Sequence, residues 1–307
     1  MPTLTFPLRV AAIDIGSNAL RFLAVEFVDD RSFTVLEAQR TQVRLGVTAF
    51  RDGTLSEASI DQAVAAIASY RARMDRLDVV HYRAVATSAV RESGNGAELL
   101  ERVRASSDVV LEAITALEEA RLVHVAVRSR VDFGSRQWVL ADLGGGSVEV
   151  ALADAIGVHW SVSHGMGAVR LLAELDGSGG LERCRAHIAA YVASLTLPPG
   201  ARPAGFIATG GNADALAVVA GAARDERGVS RVPLVLLDEL ARRMAAMSLR
   251  ERTEKLGVRA ERADVILPAA MVYAGLCAHF GFDTMVAPNV GLREGVVLDL
   301  VERMRGA

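Results

Sequence analysis

Lysine is almost missing from this sequence. Of its 34 lysines and arginines, Lys255 alone is a lysine, and no glycine loop precedes it. A GxxxxGK[ST] phosphate loop is therefore excluded, and the strand–GxGxxG–helix fingerprint of dinucleotide binding is missing as well. Cysteine is nearly as scarce. Cys184 and Cys277 lie 93 positions apart, with no CxxC or Cys/His cluster, which excludes a zinc finger and a disulfide framework and predicts two buried, reduced thiols. Aromatic residues make up only 5% of the chain, so the core must rest on Ala, Val, Leu and Ile. No apolar stretch reaches the ~18 residues of a membrane span: the longest, Val265–Ala278, is interrupted by Pro268. Met1–Pro7 lacks the charged and apolar regions of a signal peptide. A dominant sign of charge is missing too. The net charge is -3 with no long run of like charges, which gives no basis for bulk electrostatic attraction to nucleic acid. These absences lead to the expectation of a cytoplasmic protein with neither nucleic-acid nor membrane partners.

The 307 residues, 51% hydrophobic and 23% charged, suffice for two packed domains. Ser56–Leu77 carries Ile60, Val64, Ile67 and Met74 at helical spacing behind a candidate N-cap, Ser56. Val79–Thr87 and Val109–Ile114 read as strands, and helices are expected over Gly96–Ala105 and Leu117–Val127. The alternation continues with helices over Ala168–Leu175 and Leu181–Leu195, a strand over Ala204–Ala208, and helices over Ala213–Ala222 and Val235–Met247. It ends in a long apolar helix over Arg262–Phe280, a short strand over Thr284–Ala287 and a terminal helix over Gly291–Met304. Strands alternating with helices indicate an α/β fold.

Two segments repeat one another. Val10–Asn18 is an apolar strand ending in Asp14 and a turn with Gly16, Ser17 and Asn18, followed by a second apolar strand. Trp138–Ser147 has the same form, with Asp142, Gly144, Gly145, Gly146 and Ser147 before a strand that carries Glu149. A hairpin occurring twice predicts two similar halves. Taken alone, either turn could be an ordinary hairpin connection, the first with Gly and Asn supplying positive φ. Consecutive glycines also let backbone N–H groups approach an anion. Asp142, at a strand end, would hold a divalent cation beside a phosphate. Gly210, Gly211 and Asn212, between a strand and a helix, offer a third such loop. With lysine nearly absent, positive charge at a phosphate must come from arginine or a metal, and Arg21, Arg91 and Arg170 lie beside the candidate loops. Glu118 and Glu119 open a helix. They serve there as dipole-favoured acids, or one of them activates a water.

Seven segments in order, Asp14–Arg21, Ala84–Arg91, Glu118–Leu122, Asp142–Glu149, Gly165–Leu171, Ala208–Asn212 and Gly291–Gly295, resemble the exopolyphosphatase / guanosine pentaphosphate phosphohydrolase family. The resemblance covers nearly the whole chain and matches the short form of the family. It implies two actin-like (ribonuclease H-like) domains, 1–128 and 129–307, with an interdomain cleft, the terminal helix being a candidate to pack back on the first domain. It implies Glu119 as general base, Asp142 and Glu149 at Mg²⁺ (with Mn²⁺ as an alternative), and the two glycine loops and Arg91 on phosphate. The implied substrate is polyphosphate, short chains in particular, or guanosine pentaphosphate, and the expected assembly is a homodimer. Ala19 stands where the family often has Ser, Thr115-Ala116 where it often has Ser-Gly, and Asn212 where it often has Thr. A non-catalytic polyphosphate or alarmone sensor and an ATP-dependent kinase of the same superfamily are the alternative readings.

Overall fold

A computed structural model describes residues 4–175 and 177–306; residues 1–3 of the N-terminal segment, Asp176 and Ala307 lie outside the described residues. The chain divides into two compact units, one comprising 1–126 and 292–307, the other 127–291.

The first unit contains strands β1 (Leu8–Ile15), β2 (Ala19–Phe27), β3 (Phe33–Gln42), β4 (His81–Ala86) and β5 (Leu111–Ala113). Its helices are α1 (Gly46–Asp52), α2 (Glu57–Arg76), α3 (Ser88–Arg91), α4 (Gly96–Ser107) and α5 (Ala116–Arg128), the last of which carries the chain across the division. The sheet order is β3-β2-β1-β4-β5, antiparallel from β1 through β3 and parallel from β1 through β5. Helix α2 starts where Ser56 accepts from the Ser59 N–H, so the expected cap is the one used. It buries Ile60, Ala63, Ile67, Tyr70 and Met74, a 3–4 spacing along one face. Tyr70 stacks on Phe22 with ring centroids 5.2 Å apart and donates to Thr41 Oγ1 at 2.7 Å, which joins helix to sheet.

The second unit contains β6 (Trp138–Leu143), β7 (Val148–Ala153), β8 (Val158–His164), β9 (Phe206–Thr209), β10 (Ser230–Pro233) and β11 (Thr284–Ala287). Its helices are α6 (Ala168–Leu175), α7 (Gly180–Ser194), α8 (Gly211–Val219), α9 (Leu234–Ala245), α10 (Leu249–Leu256) and α11 (Ile266–His279). The sheet order β10-β11-β9-β6-β7-β8 repeats the first, with β6, β7, β8, β9 and β11 in the places of β1 to β5. The two sheets establish the α/β class that the alternation indicated, the two similar halves that the repeated hairpin predicted, and the ribonuclease H-like fold that the family resemblance implied. Cys184 and Cys277 are both buried and unbridged, and burial pushes the Cys277 thiol up to about 12. Among the described residues no helix is long and apolar enough to cross a membrane.

The last helix, α12 (Leu292–Gly306), belongs to the first unit. Gly295 lets it approach α5 closely: a Cβ there would lie 1.9 Å from the Leu122 carbonyl oxygen. Asp299 of α12, 2% exposed, receives Arg83 at 3.0 Å and Arg121 at 2.8 Å.

Several elements differ from the sequence-based expectation. The apolar helix begins at Ile266, not Arg262, because Ala260–Arg262 forms a separate 3₁₀ turn. Pro268 sits in its first turn, where a missing N–H breaks no helical bond. Strands β3, β8 and β10 and helices α1 and α10 escape the periodicity argument. β3 and β8 are largely exposed or half-buried outer strands, so no face has to be continuously apolar.

Candidate active site

In the first unit, Asp14 is the penultimate residue of β1, 1% exposed, and lies directly opposite Arg21 on β2. Arg21 Nη1 donates to Asp14 Oδ2 at 2.8 Å. The turn between them is Gly16-Ser17-Asn18. Gly16 N–H is used within the hairpin, on the Ala19 carbonyl at 3.2 Å. Neither Gly16 nor Asn18 takes positive φ, so the turn is not of the kind the sequence suggested. The Ser17 carbonyl accepts from Gly46 N–H at 2.8 Å and the Asn18 carbonyl from Arg44 N–H at 3.2 Å. Ser17 Oγ lies 3.0 Å from Ser88 Oγ, both buried, and Thr87 N–H donates to the Ile15 carbonyl at 3.1 Å. These bonds join the first loop to the segment ending in Arg91.

Arg91 closes α3 and donates from Nη1 to the Ile114 carbonyl at 2.8 Å; the same nitrogen lies 3.6 Å from Glu119 Oε2. Glu119 is 6% exposed. Its neighbour differs. Glu118 takes Arg121 at 2.7 Å, Arg83 at 3.0 Å and Arg303 at 3.1 Å. Arg121 and Arg83 hold its carboxyl down to about 2 against a partial burial cost. The ~100° step between successive helical residues thus sends one glutamate into an arginine network and the other toward Arg91. Thr115, one of the departures from the family pattern, keeps a hydroxyl that accepts from Glu118 N–H at 3.2 Å and caps the helix start.

In the second unit, Asp142 and Glu149 are direct partners across the β6–β7 ladder, so their side chains share one face of the sheet. Glu149 is 2% exposed and Asp142 half-buried. Ser163 Oγ donates to Glu149 Oε1 at 2.7 Å, and Thr209 Oγ1 to Asp142 Oδ1 at 2.8 Å. These hydroxyls orient the two carboxylates without neutralising them. Two carboxylates opposite each other repel unless they share a proton or a cation. Hard oxygen donors so placed fit a divalent ion.

The loop Gly144–Ser147 joins them. Gly144 N–H is used within the turn, on the Ser147 carbonyl at 3.0 Å. The carbonyls of Gly144, Gly145 and Gly146 accept from Ala168, Val169 and Gly167 N–H at 3.0, 2.8 and 3.1 Å, at the start of α6. A trans peptide points its N–H opposite its C=O, so the amides of Gly145, Gly146 and Ser147 turn away from α6. Together they form a concavity suited to an anion. Gly167 makes this approach possible, since a Cβ there would come within 2.3 Å of the Gly145 carbonyl carbon.

The third loop lies next to Asp142. Gly210 has φ +91° and precedes α8, and a Cβ on it would lie 3.1 Å from Asp142 Oδ1. Gly211 and Asn212 open α8. Sequence reasoning missed two neighbours. Tyr273, fully buried on α11, donates to the Thr209 carbonyl at 2.6 Å, and burial raises its hydroxyl well above the usual tyrosine value. Arg262 lies so close to Gly211 that a Cβ there would be 2.7 Å from Nη2. Neither carries a local signal, because both reach the loop from more than fifty residues away.

Comparison with known proteins agrees with this geometry. The chain is 27% identical over 302 residues to Exopolyphosphatase 1 of Mycobacterium leprae (strain TN), covering 95% of this chain and 89% of that protein. It is 28% identical, again over 302 residues, to Exopolyphosphatase 1 of Mycobacterium tuberculosis (strain ATCC 25618 / H37Rv), with 95% and 88% covered. Among solved structures, an exopolyphosphatase from Cytophaga hutchinsonii superposes with a TM-score of 0.87 at 25% identity, covering 96% of this chain and 98% of that one. The Aquifex aeolicus Ppx/GppA family member superposes at 0.82 over 98% and 99%, and at 24% identity supports the fold alone. The family model described as Ppx/GppA phosphatase family matches residues 24–304. The chain belongs to the Ppx/GppA phosphatase family.

Proposed function

We propose that this phosphatase is an exopolyphosphatase that removes terminal orthophosphate from inorganic polyphosphate. The observation that carries the reading is the second hairpin: a glycine loop with three amides turned outward, flanked by two carboxylates that face each other. Asp142 and Glu149 are the residues that would hold a divalent cation, Mg²⁺ or Mn²⁺. When bound, that ion would offset charge on phosphoryl oxygens. The amides of Gly145, Gly146 and Ser147 bind and orient the phosphoryl group, and fixed donors of this kind need no reorganisation as charge develops. Glu119 is assigned the general base that takes a proton from the attacking water. Arg91, hydrogen-bonded to Ile114, is anchored beside it and presents its guanidinium to anionic oxygen. In the first unit, Asp14 and Arg21 hold the Gly16–Asn18 turn, which is assigned to a neighbouring phosphate.

Phosphate release is measured over tripolyphosphate, long-chain polyphosphate and guanosine pentaphosphate, with Mg²⁺, with Mn²⁺ and with a chelator. The expected result is release from polyphosphate that stops on chelation, with short chains preferred and guanosine pentaphosphate as the second substrate. Phosphate transfer from ATP to a sugar, without release from any polyphosphate, would refute the assignment. Binding of polyphosphate without turnover would convert the protein into a sensor.

A further inference from the structure

The Gly146 carbonyl carries two donors. One is the Gly167 N–H at 3.1 Å; the other is the guanidinium Nε of Arg170 at 2.7 Å. Arg170 also brings its own backbone N–H within 3.4 Å of the Gly145 carbonyl. Its guanidinium passes close over Gly165, where a Cβ would stand 3.6 Å from both Cζ and Nε. The side chain is thus held against the loop's rear face, the face from which the carbonyls project. A donor hydrogen-bonded to a peptide carbonyl polarises the whole peptide unit and strengthens the N–H on its far side. That N–H belongs to Ser147, which by peptide planarity points away from Arg170.

Resting on the phosphohydrolase reading above, we propose that Arg170 is a positioning residue. It fixes and polarises the Gly146–Ser147 peptide, making the Ser147 amide the strongest backbone donor to the bound phosphoryl group. The arginine acts from behind the loop through one peptide bond. This differs from the bidentate phosphate contact that its place in the sequence suggested, and the two roles make opposite demands on a substitute. Positioning needs an N–H donor at Nε, whereas direct binding needs charge.

Three variants separate them. Arg170→Ala removes donor and charge, Arg170→Gln keeps a neutral N–H donor, and Arg170→Lys keeps the charge without the planar fork. Each is assayed for tripolyphosphate binding by calorimetry, for kcat and KM, for thermal stability, and for the Ser147 amide proton shift by NMR. Loss of a hydrogen bond to a charged donor predicts that Arg170→Ala weakens tripolyphosphate binding about ten- to a hundredfold. The Ser147 amide proton should move upfield, and Arg170→Gln should recover most of the binding and part of the shift. Recovery by Lys with none by Gln overturns the proposal in favour of direct phosphate binding. So does unchanged binding in Arg170→Ala. If Arg170→Ala fails to fold, the Gln and Lys pair decides alone. Binding without phosphate release by the wild type would sink the phosphohydrolase reading while leaving this test intact; no binding at all overturns both.

Discussion

The two hairpins share a backbone plan and differ in the charge of the side chain opposite the aspartate. In each, an aspartate is the penultimate residue of the first strand, a glycine N–H closes the turn, and the residue seven positions after the aspartate sits opposite it. That residue is Arg21 in the first hairpin and Glu149 in the second. The first carries its own cation, and Asp14 is paired within the chain at 2.8 Å. The second places two carboxylates opposite each other, an arrangement that favours a bound cation. The proposed metal site thus falls at one loop only, although the fold supplies two of the same kind. The buttressing repeats as well. Gly46 packs its N–H onto the first loop just as Gly167 does onto the second, each at the start of the helix that follows the third strand of its unit.

The comparison would break first at Glu119, because it assigns proton removal to neither hairpin. Glu119→Gln keeps shape and should cost ~10²–10⁴-fold in single-turnover phosphate release while tripolyphosphate still binds. Retained activity would mean that a hairpin carboxylate serves as the base. Next, Glu149→Arg imports the first hairpin's pairing into the second. Activity should fall by on the order of 10²-fold, and the remainder should no longer respond to Mg²⁺ titration. A variant with wild-type Mg²⁺ dependence would remove Glu149 from the metal site.

The buttresses should differ in tolerance. A Cβ at Gly167 meets backbone at 2.3 Å, whereas the nearest atom to one at Gly46 is Phe50 Cε2 at 2.6 Å, the outer edge of a ring that can turn, with Ser17 Cβ at 2.9 Å and the Ser17 carbonyl oxygen at 3.1 Å behind it. Gly167→Ala should destabilise by about 3 kcal/mol and Gly46→Ala by about 1 kcal/mol in urea melts. The reverse order would show that the second loop is the more adaptable one. The smallest effect belongs to Glu118. Its carboxyl is lowered from 4.5 to about 2, so its stabilising effect is present above pH 4.5 and is lost as pH falls toward 2. Glu118→Gln should therefore cost on the order of 2 kcal/mol at pH 7 and progressively less below pH 4.5, with phosphate release near the wild-type rate. A pH-independent cost would place the effect in packing.

Much of this was legible beforehand for physical reasons. Val10–Asn18 and Trp138–Ser147 betray themselves because a tight hairpin has to be built from neighbouring residues. Helix α2 shows because its buried face recurs every three to four positions. Even the Arg21–Glu149 contrast lies in the sequence, in the shared seven-residue offset from Asp14 and Asp142. Strands β3 and β8 were not legible, since half-exposed strands need no apolar alternation.

Local order along the chain was enough to define the α/β class, the duplicated hairpin, the paired glutamates at the start of α5 and the family. Tertiary packing decided which glutamate joins the arginine network around Asp299, and that Gly144 and Gly16 spend their amides inside their own turns. It also decided that α6 and Arg170 grip the second loop from behind, and that Tyr273 and Arg262 reach the third. The reason is range. A turn or a helical stripe is written in adjacent residues, whereas a donor twenty-four positions away on Gly146, or sixty-four away on Thr209, leaves no period or spacing to read until the chain has folded.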